Sequence, residues 1–254
     1  MKTLITYGAL LFSMANFTSI ASAKNISPIH HHSHIVIQKN IYEVKPQEII
    51  DKYIQAIGGK DNLDKIKTIH STGNASVQGQ ELPYETKRMN PNKLLVNVSM
   101  NGQTVSKQVF DGIAGYKEQM GNKADYSADE IKKYGEAKGL FPQEFYATAG
   151  YALTAKGTTK VNEKAAYIIE VTSPSGIKST EYYDSVSYLL VRQDVSQNGL
   201  DLSIIFDNYK PVNNVLFPYK LTQSISTANG VMEVGIIADS IIVNGNDVAD
   251  ADFK

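Results

Sequence analysis

The chain has no cysteine and no tryptophan, and its charges almost cancel. Lack of cysteine removes disulfides, thiol nucleophiles and the attachment point of an N-terminal lipid anchor. A net charge of −1 lacks the basic surplus that nucleic-acid binding requires. Basic and acidic residues are interspersed, so no run of like charge forms a binding tail. The longest apolar stretch, Leu4 to Phe17, is interrupted by Ser13 and Asn16 and is too short for a permanent membrane span. Catalytic signatures are equally scarce: there is no zinc-binding His-Glu-x-x-His, no Gly-x-Ser-x-Gly elbow and no glycine-rich phosphate loop. A pair of carboxylates in a cleft is still open as a route to hydrolysis, because sequence spacing does not test it. No enzymatic activity and no cofactor are expected.

What is present begins with an export signal. Lys2 supplies a positive start, Leu4 to Phe17 an apolar core and Ala21-Ser22-Ala23 a small-residue cleavage pattern, so residues 1–23 read as a signal peptide cut after Ala23. The mature protein is therefore expected outside the cytoplasm, in the periplasm of a cell with two membranes. Residues 24–45 read as a flexible tether carrying His30, His31, His32 and His34. Imidazoles are common metal ligands, but four on a tether lack the fixed geometry and supporting groups of a metal centre. They are weak candidates, and no metal is assigned.

Order is expected from Pro46, a favoured first helical residue. Ile49, Ile50, Tyr53, Ile54 and Ile57 share one helical face, and Gly58-Gly59 ends the helix. Short β-like runs follow, separated by Gln78-Gly79, Asn90-Pro91-Asn92, Asn101-Gly102 and Asp111-Gly112, all hairpin signals. Between Ser127 and Ala149 the pattern turns helical, with Ser127 and Glu130 at capping-box spacing. Strands resume from Tyr151 to Val243. The sum is a mainly β protein with a few helices (α+β): about eleven or twelve antiparallel strands in one curved sheet, forming a single domain over residues 46–254. The 15 Tyr and 8 Phe suit strands and walls with one dry side and one wet end.

Four stretches resemble a known family. Ile49 through Gly59 is similar to the opening helix of LolA-like outer-membrane lipoprotein-sorting proteins. Lys87-Arg88-Met89-Asn90-Pro91-Asn92-Lys93 resembles that family's Lys-Arg-Pro turn, although Met89 and Asn90 separate Arg88 from Pro91. Phe110 through Tyr116 is similar to its Asp-Gly hairpin, with Tyr116 where tryptophan is usual, and Val243 through Phe253 to its closing strand. The resemblance implies an open antiparallel half-barrel with helices over its mouth and an apolar cavity for acyl chains. It also implies that Arg88 ties barrel to lid. Lipid or lipoprotein acyl chains are then the expected partners, with an envelope membrane protein as a further one. The alternative is a non-catalytic protein-interaction module of the envelope, of the kind associated with exported peptidases.

Candidate cavity residues are Leu95, Val96, Val98, Met100, Val109, Tyr116 and Met120 from the strands, with Phe141, Phe145 and Tyr146 as lid. Adaptable methionines and aromatics suit irregular apolar ligands. The same residues would equally serve as a filled core between sheet and helices. Asp247, Asp250 and Asp252 lack the glycine and terminal glutamate of a calcium loop. They read instead as a polar turn that lets Phe253 dock.

Overall fold

The computed structural model describes residues 45–197, 200–227 and 230–254. The expected export signal and histidine tether lie outside the described residues. Helix α1 (Pro46–Ala56) starts on its proline and buries Ile49, Ile50, Tyr53 and Ile54 along one face. It ends at Gly58, whose φ of 139° is open to glycine alone. A Cβ there would stand 2.5 Å from the Asn214 carbonyl oxygen. That close approach lets Leu216 donate its N–H to the Ile57 carbonyl at 2.7 Å, fastening the helix to the sheet. A single turn, α2 (Lys60–Leu63), follows.

The first group of strands is β1 (Thr68–Val77), β2 (Gln80–Met89), β3 (Lys93–Met100), β4 (Gln103–Phe110), β5 (Gly115–Gln119) and β6 (Asn122–Asp125). Helix α3 (Ala128–Glu136) and a 3-10 turn at Pro142–Phe145 form an insert. The second group is β7 (Ala152–Val161), β8 (Lys164–Thr172), β9 (Lys178–Asp184), β10 (Leu190–Gln197), β11 (Leu200–Val212), β12 (Val215–Thr227) and β13 (Gly230–Val243). All lie in one open sheet of order β6-β5-β4-β3-β2-β1-β13-β12-β11-β10-β9-β8-β7. Each group is an antiparallel meander, and the β1–β13 pairing joins the two.

The sheet has thirteen strands among the described residues, a correction to the expected eleven or twelve. The extra strand is β6, whose four residues are all exposed. Without a buried side it carries no period-2 apolar signal to read. Residues 200–227 form one long hairpin turning at Asn213-Asn214, both at positive φ (47° and 65°). That pair suits a tight hairpin turn as Asn-Gly does.

The main core lies between one face of the second meander and α1, with Tyr183, Leu190, Ile204 and Val215 against Ile50, Tyr53 and Ile57. The opposite face of β3 and β4 is covered by the chain's end. Phe253, 1% exposed, packs on Leu95, Val109 and Val248. Asp247, Asp250 and Asp252 each meet a base on a neighbouring strand. Asp247 contacts His70, Asp250 pairs with Lys93 at 2.6 Å, and Asp252 pairs with Lys87 at 2.8 Å.

Candidate functional site: an apolar cleft beneath a tied insert

A cleft opens where two strands part. β12 pairs with β13 only from Lys220–Ile237 to Thr227–Gly230, while residues 215–218 of β12 are paired with β11. Pro218 is tolerated in that stretch because no β13 carbonyl awaits its missing N–H. β13 in turn carries an extra residue, Asp239, opposite the Thr72–Gly73 step of β1. Gly73 permits the crossing, since a Cβ there would stand 2.1 Å from the Ile237 carbonyl oxygen.

The resulting cleft has a volume of about 160 Å³. Ile69 and Ser71 of β1, Tyr84, Thr86 and Arg88 of β2, and Leu94 of β3 line one side. Phe217, Pro218, Tyr219 and Leu221 of β12, with Ile236, Ala238 and Ile241 of β13, line the other. Tyr134, Ala137, Gly139, Leu140 and Pro142 of the insert cover it. β3 and β12 are four strand spacings apart, roughly 19 Å in a flat sheet. A single cleft lined by both therefore requires the sheet to curl around it.

The insert is held down at several points. Arg88 donates from Nη2 to the Leu140 carbonyl at 2.6 Å, and Gly139 donates its N–H to the Pro91 carbonyl at 2.7 Å. At the start of α3, Ser127 and Glu130 form the reciprocal cap that their spacing predicts, and Lys117 reaches Glu130 at 2.8 Å. Tyr134 stacks on Tyr126 and Phe110 with ring centroids 4.8 and 5.0 Å away, and its hydroxyl donates to Gln108. Burial pushes the Tyr134 phenol up to about 12. At the far end of the insert, Tyr146 donates to Glu181 at 2.7 Å. Glu181 also accepts from Tyr183 and from Gln193 Nε2 at 3.1 Å. Full burial raises the Glu181 carboxyl above its usual value, and these neutral donors only partly offset it.

The residues proposed from sequence are dispersed. Arg88 lines the cleft. Val96 and Val98 share the cleft-side face of β3, opposite Thr86 and Tyr84, but each is 1% exposed and packed beneath. Leu95 and Val109 face the other way, under Phe253, and Tyr116 lies on that same side. Met100 packs beside Ala75, Leu82 and Val105. Met120 sits in a positive-φ turn and is exposed. Phe141 meets Phe217 at 5.9 Å within the core, Tyr146 is buried on Glu181, and Phe145 lines a neighbouring groove. The sequence reading missed Phe217, Tyr219, Leu221, Ile236 and Ala238. Leu221 was already expected in a strand over residues 220–226, and the Asn213-Asn214 turn was the signal that would have extended that strand back to Phe217 and Tyr219.

Among the described residues no group of three histidine, aspartate or glutamate side chains is placed to hold a metal. The histidines of the tether lie outside them. No described helix is long and apolar enough to cross a membrane.

An open antiparallel sheet curled round an insert defines the LolA-like architecture, and solved structures bear this out. The chain is similar to a putative outer membrane lipoprotein-sorting protein domain from Vibrio parahaemolyticus, at 11% identity and a TM-score of 0.57, over 82% of this chain and 97% of that one. A LolA superfamily protein from Nitrosomonas europaea matches at 10% identity and a TM-score of 0.55, over 83% and 98% of the two chains. A DUF1329 family protein from Desulfovibrio piger matches at 12% identity and a TM-score of 0.57, over 82% and 97%. No family model matches the sequence, and no curated protein matches it either.

Proposed function

We propose that this chain is an exported, non-catalytic protein of the periplasm that binds lipid or lipoprotein acyl chains, with residues 46–254 as its binding unit. The observation that carries the reading is the apolar cleft between the parted strands and the insert. The likeness to a lipoprotein-sorting domain and to a LolA superfamily protein supports it. Burial of hydrocarbon needs no directional contact, so a cleft without a sharp polar motif suffices. Its 160 Å³ is on the order of a cavity that holds one benzene ring. Six methylenes would contribute roughly 5 kcal/mol there, which corresponds to a dissociation constant of about a few tenths of a millimolar before any cost of ordering. A full acyl chain requires the insert to lift, and the Arg88 and Tyr146 contacts are the ties that must yield.

Native mass spectrometry of protein purified from its own envelope tests the reading. Co-purifying lipid, together with displacement of a fluorescent fatty acid by unlabelled fatty acid, is the expected result. Ligand-free protein that takes up no fluorescent fatty acid would overturn it.

A further inference from the structure

The hollow part of the curled sheet stops short of the end of its apolar face. Arg88, Thr86 and Tyr84 line the cleft in succession along β2. The next residue on that face, Leu82, is buried in a packed cluster. β13 changes in the same way, from Ala238 and Ile236 in the cleft wall to Val234 in the cluster. On β1, Ile69 and Ser71 line the cleft, Gly73 follows, and Ala75 is fully buried in the cluster. Tyr84 stands at this boundary, lining the hollow on one side and packing into the cluster on the other.

The position of the ring is fixed from two directions. Tyr84 pairs across the strands with Gly73, and its ring lies against that bare Cα: a Cβ there would come within 2.9 Å of it. Its hydroxyl meets the Ser71 hydroxyl at 3.3 Å, so the ring does not swing aside without giving up that bond. Beyond the ring the side chains are small or adaptable: Ala75, Val98 and Val234, with Met100 and Met232 at the edge. Methionine reshapes readily around an irregular apolar neighbour. At the opposite end of the cleft stand its charged lining residues, Arg88 and Lys93. Arg88 is four residues from Tyr84 along β2, roughly 13 Å.

We propose that the Tyr84 ring is the floor of the cleft and sets the length of acyl chain that the protein buries. The assignment rests on the acyl-binding reading above and adds a chain-length limit to it. Hydrocarbon avoids the charged end, so the tail points inward and its terminal methyl stops against the ring. Carbons added beyond that length lie between sheet and insert, where burying them requires breaking the Arg88 tie to Leu140. They therefore add little affinity.

Titration of the purified protein with saturated fatty acids from hexanoic to palmitic tests the proposal. Affinity is expected to rise roughly fourfold for each added methylene and then to level off at one chain length. Tyr84→Ala should move that break to longer chains by about two carbons or more, so acids just beyond the original break gain roughly fifteenfold over the unaltered protein. Should Tyr84→Ala fail to fold, Tyr84→Leu carries the test, with a smaller shift in the same direction. A ring that only supported the fold would lower affinity evenly at every length, and that result would overturn the proposal. An affinity that climbs without a break through palmitic acid would overturn the floor and leave the acyl-binding reading standing. So would a break that stays in place in the Tyr84 variants. Failure of the unaltered protein to bind any of the acids would overturn both.

Discussion

Glu181 lies fully buried on β9, and the hydrogen bonds it accepts come from neutral donors: Tyr146, Tyr183 and Gln193. Desolvation is the largest influence on its carboxyl and raises it, so the folded protein holds this proton more tightly than the unfolded chain does. The sign of the pH effect follows. Below the unfolded value both states are protonated and Glu181 costs nothing. As pH climbs from there through the raised folded value, stability is lost. Glu181→Gln keeps the shape and has no proton to lose. Its melting curve should coincide with that of the unaltered protein near pH 4 and lie above it at pH 8, by about 2–4 °C for each ~1 kcal/mol regained. Thermal denaturation across that range, followed by circular dichroism, checks this; a mutant melting below the parent at pH 8 would refute it.

At the scale of elements, the seam between the two meanders depends on a single missing methyl. Gly73 sits where β1 changes register against β13, and a Cβ there would collide with the Ile237 carbonyl at 2.1 Å and the Tyr84 ring at 2.9 Å. One neighbour is backbone, so the strain cannot be relieved by a side-chain rotation. Gly73→Ala should cost about 2–4 kcal/mol by overpacking and lost pairing at the seam. Urea denaturation gives the value, and a loss near zero would show that the seam is soft. By comparison, Ser127→Ala at the α3 cap should cost only ~1 kcal/mol, measured the same way. It would loosen the insert without touching the cleft wall.

These elements were unequally legible in sequence. Helix α1 and the α3 cap could be read because spacing and capping are local: the isoleucine face, the Pro46 start and the Ser127–Glu130 pair need no tertiary information. The phase of β3 was not readable, because Leu94, Leu95 and Val96 are consecutive apolar residues. Both faces of that strand are covered, one by the cleft and Tyr134, the other by Phe253. Two-sided burial erases the alternation that assigns a face. The β12 side was hidden differently, since Pro211 and Pro218 argue against a strand unless the partner on one side is absent. The cleft owes its existence to that absent partner, and long-range pairing is what a local reading omits.

For the whole molecule, the central issue is whether the space between sheet and insert takes up a ligand. Ala238 offers a direct test, because it lies in the cleft wall on β13 and is only 9% exposed. Replacing it with phenylalanine places a ring in space that is now empty, beside Ile236, Tyr219 and Ile241, without removing any hydrogen bond of the ties at Arg88 and Tyr146. Filling an apolar void adds van der Waals contacts that the lining atoms now lack. Ala238→Phe should therefore hold its melting temperature or gain a few degrees, while uptake of a fluorescent fatty acid falls at least about tenfold, the loss of roughly two buried methylenes. The two readouts must be taken together. Unchanged uptake at unchanged stability would place the acyl chain elsewhere on the protein, whereas a large fall in stability would mean that the ring found no room and the cleft wall is more rigid than its lining implies. Gain or retention of stability with loss of uptake is the outcome that only a ligand cleft at this position produces.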